Sequence, residues 1–118
     1  IYYRTDIQGN VLLVSPSIYE ICGFKPTELI GKNIADFYVT PKRQEKLIKE
    51  LLRTGAVRDY EVILKKKDGT SISCNTHLRL IYNKYLQPVA IAGVARDVTE
   101  LKKSSEELLK AKELAERS

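Results

Sequence analysis

The sequence predicts an α+β domain: strands at both ends of a compact body, helices between them, and one long helix leaving at the C-terminus. Three observations carry this. Strand formers crowd residues 1–14, and a period of two governs residues 57–97. Between them, residues 41–54 place Leu47, Ile48, Leu51 and Leu52 on one helical stripe. Beyond Asp97 the chain runs to Ser118 with neither Pro nor Gly.

Taken in order, Tyr2, Tyr3, Val11, Leu12, Leu13 and Val14 favour strands, and Asp6-Ile7-Gln8-Gly9-Asn10 is turn chemistry between them. Ser15-Pro16 opens a short helix, with Ser15 as N-cap and Pro16 at the first helical position, ending by Cys22-Gly23. Pro26, Gly31 and Pro41 limit the next stretch to one-turn or two-turn helices, at 26–30 and 33–37. Neither can stand without packing. The 41–54 helix turns Lys42, Arg43, Lys46, Lys49 and Arg53 away from its apolar stripe and closes at Gly55.

Strands 57–66 and 70–82 are joined by Lys67-Asp68-Gly69, a hairpin signal. In the second, Ile72, Cys74, Thr76, Leu78 and Leu80 face one way, and Ser71, Ser73, Asn75, His77 and Arg79 the other. A last strand, about 87–97, follows a turn at Asn83-Lys84. It is apolar on both faces: Val89, Ile91, Gly93 and Ala95 alternate with Ala90, Ala92 and Val94. A strand apolar on both faces is covered on both. One face is expected against the core, and the other against a flanking helix or a second subunit.

Asp97 reads as the N-cap of the outgoing helix, with Glu100 three residues on as the other half of a capping box. Leu101, Leu108 and Ala115 recur every seven, with Ser104 and Ala111 between, a thin heptad seam on a charged helix. The division expected is a globular domain over 1–99 and a helical, coiled-coil-like linker over 100–118.

At 118 residues the chain holds one core. It contains no Met and opens on Ile1-Tyr2-Tyr3, a strand already under way, so an excised piece of a longer protein is expected. No apolar run approaches the roughly 18 residues of a membrane span, and no signal peptide is visible. A cytoplasmic domain is expected, within a parent that could be anchored elsewhere. Cys22 and Cys74 lack metal-ligand spacing and read as reduced thiols, with a regulatory disulfide as the alternative.

The net charge of +5 resides in the body, because residues 100–118 balance five Glu against five Lys or Arg. The body's basic residues are scattered, with no recognition helix or stacking motif among them, so nucleic acid is not an expected partner.

Six short motifs in order resemble a PAS domain over residues 1–99. They are Asp6-Ile7-Gln8-Gly9; Pro16; Gly23-Phe24; Glu28-Leu29-Ile30-Gly31-Lys32; Lys66-Lys67-Asp68-Gly69; and Gly93-Val94-Ala95-Arg96-Asp97-Val98-Thr99-Glu100. Ser15, where the family often has Asn, is a mild departure. The resemblance implies a five-stranded antiparallel sheet of order 2-1-5-4-3 with small helices on one face, and any ligand held between the two layers. It also implies that Asp97 and Thr99, with Glu100, pass a signal from the last strand to the helix.

Chemistry within the chain is not expected. His77, the single histidine, lies on a polar strand face with no triad partners, and Gly55, Gly69 and Gly93 form no phosphate loop. Light-sensing relatives bond flavin through a Gly-x-Asn-Cys-Arg-Phe-type motif, but Ile34 stands at the Cys position after Gly31-Lys32-Asn33. Haem-binding relatives draw an axial His from the long central helix, which here has none. Cysteinyl-flavin and axial-His haem are therefore disfavoured, and the cofactor is unknown or absent.

A cavity, if present, is expected to be lined by Val14, Ile18, Ile34, Phe37, Leu47, Leu51, Tyr60, Val62, Leu64, Ile72, Cys74, Ile91 and Gly93. Tyr60 and Thr76 are its inward polar groups, and Arg58 or Arg79 is either at its mouth or solvated. A small organic ligand and a collapsed core both remain open.

The expected function is a sensory module of a signal-transduction protein, a sensor histidine kinase above all, with a downstream transmitter in the same chain. A homodimer is expected, with Ala90, Ala92, Val94, Leu101, Leu108 and Ala115 at the dimer or helix seam. A cyclic-dinucleotide synthase, a transcription regulator and a ligand-free dimerisation domain are the alternatives.

Overall fold

A computed structural model describes residues 1–39 and 42–117, apart from the side chains of residues 42–44, 100, 102 and 117. Pro41, Ser118 and the side chains of Lys42, Arg43 and Glu100 therefore lie outside the described residues, and the capping-box partner is among them. The elements run β1 (Tyr2–Asp6), β2 (Val11–Val14), α1 (Ser17–Cys22), α2 (Pro26–Leu29), a 3-10 turn (Ile34–Phe37), α3 (Lys42–Thr54), β3 (Ala56–Lys65), β4 (Ser71–Tyr82), β5 (Pro88–Asp97) and α4 (Thr99–Arg117). The strands form one antiparallel sheet of order β2-β1-β5-β4-β3. No helix among the described residues is long and apolar enough to cross a membrane.

The local chemistry explains the connections. Asp6 closes the β1–β2 turn by accepting from the Asn10 amide and side chain, each at 2.9 Å. Asn33 then bridges the helical layer to that turn, donating to the Gln8 carbonyl at 2.9 Å while its own oxygen caps the 3-10 turn through the Ala35 amide. In the β3–β4 hairpin, Asp68 accepts from the Thr70 amide and hydroxyl. Gly55 ends α3 at φ 84°, a left-handed cap conformation that side-chain-bearing residues rarely adopt.

The core lies between the helical layer and one face of the sheet. Leu47 and Leu51 of α3 are buried there with Ile72, Cys74, Leu78 and Leu80 of β4, following the alternation read from sequence. Leu52 is 47% exposed, so the apolar stripe of α3 is narrower than the sequence suggests.

Three further expectations need correction. Ser15 does not cap α1: its hydroxyl accepts from the Tyr2 amide at 3.0 Å and pairs with Ser17, so it ties the helix start to β1. Val89 sits near the start of β5 and is exposed rather than in the core. Ala90 and Ala92 are buried within the single chain, 8% and 3% exposed, and offer no free apolar surface to a partner. The register shows why: Ala92 stands between Arg4 and Arg79, and Ala90 between Asp6 and Ile81. Longer neighbours on the flanking strands overshadow a methyl group on the same face.

Candidate functional site

Two places are candidates for a functional site, the interior between the layers and the junction of β5 with α4. The interior holds a cavity of about 60 Å³. Small-molecule sites start at roughly 300 Å³, so this space is close to collapsed. Val14, Ile18, Ile34, Phe37, Val62 and Leu64 line it, joined by Tyr3, Val11, Cys22, Phe24, Leu29, Tyr38 and Ala95. Leu47, Ile91 and Ile34 border a second void of about 20 Å³.

The remaining candidates line neither space. Leu51, Ile72 and Cys74 are packed into solid core, Tyr60 is half-buried against it, and Gly93 lies beneath the Tyr3 ring.

The polar lining also differs from expectation. Thr76 spends its hydroxyl proton on the Tyr60 carbonyl at 2.7 Å. The phenol-bearing residues that line the cavity are Tyr3 and Tyr38. Burial raises both: Tyr38 is pushed up to about 12, and Tyr3 well above the ordinary phenol value. Sequence reading missed this pair because a tyrosine in a strand or a short turn is as often half-exposed as buried.

Phe24 and Phe37 meet edge to face at 5.3 Å beside the cavity. Cys22 and Cys74 are both free and buried, and burial pushes their thiols up, Cys74 to about 12. Among the described residues, no group of three His, Cys, Asp or Glu is placed to hold a metal ion.

At the exit, the Asp97 carboxylate accepts from the Thr99 amide at 3.0 Å, which is the N-cap bond. Thr99 reaches sideways to β4, where its hydroxyl oxygen accepts from the Ser73 amide at 3.0 Å. The Val98 amide completes the clasp by donating to the Ser73 carbonyl at 2.9 Å. Sequence reading found Asp97 and Thr99 but not Ser73, because strand order decides which residue lies beside the exit.

Beyond the clasp α4 stands clear of the body. Leu101 and Leu108 are 63% and 73% exposed, and Ala115 is exposed. Val94 is the one exposed member of the β5 trio, at 48%.

His77 faces outward, its Nε2 3.6 Å from the Asp59 carboxylate. Arg58 and Arg79 are not at the mouth of the interior cavity; both border a depression on the opposite face of the sheet.

The PAS domain profile matches residues 1–100. Sporulation kinase C of Bacillus subtilis is 24% identical over 114 residues, a match spanning 96% of this chain and 27% of that protein. The chain thus spans about a quarter of that relative's length. Among solved structures, the PAS domain of a Colwellia psychrerythraea protein superposes with a TM-score of 0.75 at 23% identity, over 84% of this chain and 86% of that one. Drosophila melanogaster Cycle PAS-B with bound ethylene glycol gives 0.75 at 16% identity, over 81% and 97%. An RNA-binding light-oxygen-voltage receptor gives 0.79 at 18%, over 95% and 33%. At these identities the structural likeness speaks to fold.

Proposed function

The chain belongs to the PAS domain family, whose members are non-catalytic sensory and regulatory modules, and from that premise we propose that it serves a cytoplasmic sensor histidine kinase. In this reading the domain receives a ligand or conformational input and relays it through α4 to a transmitter in the same chain. The observation that carries the reading is the clasp of Asp97, Thr99 and Ser73, which makes the sheet and the start of α4 one hydrogen-bonded unit. The likeness to a protein named as a kinase supports the choice of output. The exposed Leu101 and Leu108 support a parallel pairing of two α4 helices. Such a thin seam forms a marginal coiled coil, which a small input can re-register.

The interior supports a receptor for small apolar molecules only if Phe24 and Phe37 part to enlarge the cavity. The test is autophosphorylation of the full-length parent, with and without Asp97→Ala. Phosphate transfer to a histidine, with regulation lost in the variant, is the expected result. A parent without kinase activity overturns the kinase assignment, and a variant regulated normally overturns the relay through Asp97.

A further inference from the structure

We propose that the outer face of the sheet, opposite the helices, binds a small, multiply charged oxyanion such as a tricarboxylate or a phosphate ester. The geometry begins with a β-bulge. The β3–β4 register runs Ala56↔Arg79 and Val57↔Leu78, then jumps to Tyr60↔Thr76. Arg58 and Asp59 together stand opposite His77, and Asp59 takes φ 54°, a left-handed conformation that Asp tolerates better than most residues. Without the extra residue Arg58 would share the inward side of Tyr60 and Val62. With it, Arg58 is turned out beside His77 and Arg79, which is how bulges re-aim side chains.

These three border a depression of about 300 Å³ together with Tyr2, Ala92 and Val94. That volume reaches the lower limit for a small-molecule site, which the interior cavity does not.

The charge is one-sided. Arg58 and Arg79 are exposed and make no hydrogen bond or ion pair among the described residues. The Asp59 carboxylate reaches His77 at 3.6 Å but is itself 79% exposed. On the other side of Ala92, Arg4 donates to the Tyr2 hydroxyl at 3.0 Å, while its Nε is buried without an acceptor. Gathering guanidinium groups without acceptors is unfavourable until an anion arrives, and their planar forks match carboxylate and phosphate oxygens two at a time. Ala92 is the small floor that lets such a group settle against Arg58 and Arg79.

The test is a titration of the full 118-residue chain with citrate and, separately, inorganic phosphate, followed by amide NMR in low-salt buffer. Saturable shifts are expected at Tyr2, Arg58, His77, Gly93 and Val94, with Val14, Ile18, Phe37 and Val62 quiet. Saturation by citrate alone assigns a carboxylate ligand, and by phosphate alone a phosphate ester. Arg58→Ala and Arg79→Ala, both surface changes whose folding is checked by circular dichroism melts, should each weaken binding roughly tenfold, the effect of losing a charge-assisted hydrogen bond. Arg53→Ala removes the same charge from α3 and should leave affinity within about twofold, as a change outside the site does. Shifts that stay linear to about 20 mM, far beyond millimolar affinity, overturn the proposal. So does an equal loss in Arg53→Ala, or a response confined to the interior cavity.

Discussion

Asp97→Ala isolates what the cap contributes to the exit. The substitution removes an acceptor 3.0 Å from the Thr99 amide, and with it a negative charge at the N-terminus of a 19-residue helix. The cap bond is worth about 1 kcal/mol, and an exposed charge at the helix end about 0.3–1 kcal/mol more. The sum, roughly 1–2 kcal/mol, is a factor of about 5–30 in an equilibrium.

The two backbone links to Ser73 survive the change, because one uses the Val98 amide and the other the Thr99 hydroxyl. The loss should therefore stay local. Hydrogen exchange at the first turn of α4, residues 99–103, should accelerate about 5- to 30-fold. The body should melt within about 2 °C of the parent, against the 4–8 °C expected had the domain itself lost 1 kcal/mol. Unchanged exchange in that turn would refute the capping argument. A large fall in the melting temperature would refute it differently, by placing Asp97 in the stability of the sheet.

Gly93→Ala should destabilise the domain by about 1–3 kcal/mol, the usual cost of overpacking, read from the midpoint of a urea melt. The added methyl would run into the buried Tyr3 ring and come within 2.7 Å of Leu78 Cδ2; an unchanged midpoint would mean the ring is free to move.

Stability should also fall at alkaline pH. Tyr38, Cys74, Cys22 and Tyr3 all have folded values raised by burial. Their contribution is complete below the unfolded values, roughly 8.5 for thiols and 10 for phenols, and is lost as pH climbs toward the folded ones, about 12 for Tyr38 and Cys74. A thermal-shift profile flat from pH 8 to 11.5 would contradict this. Asp6, Glu28 and Asp68 act at the other end. Burial opposes the Asp6 carboxylate, but hydrogen bonds led by Asn10 outweigh it; Lys67 lowers Glu28 and Thr70 lowers Asp68. Their small contributions hold above pH of about 4 and fade below it.

What could be read from the sequence, and what could not, divides along the range of the interactions. The β4 alternation, the hairpin at Asp68-Gly69 and the α3 stop at Gly55 are written in neighbouring residues, and all three stand in the fold. Strand order came from family resemblance, since nothing local dictates that β1 lies beside β5. The errors share that origin. Ala90 and Ala92 look like a docking stripe until the sheet sets Asp6 and Ile81 beside the first and Arg4 and Arg79 beside the second, the last two from positions 88 and 13 residues away. Arg58, read as either at the cavity mouth or solvated, is exposed on the outer face, where a bulge reverses strand parity without a Gly or Pro to announce it.

The fastening of α4 has a mechanical consequence. The helix is joined covalently to β5 but hydrogen-bonded to its neighbour β4 through Ser73, so its root rests on two strands. Any sliding of one strand past the other becomes a tilt. Over 19 residues the helix is about 28 Å long, and a tilt of about 5° at the root carries the far end through roughly 2.5 Å. That displacement is about half a helical turn, so a lever of this length magnifies a slight shear in the sheet into a sizeable excursion of its own tip.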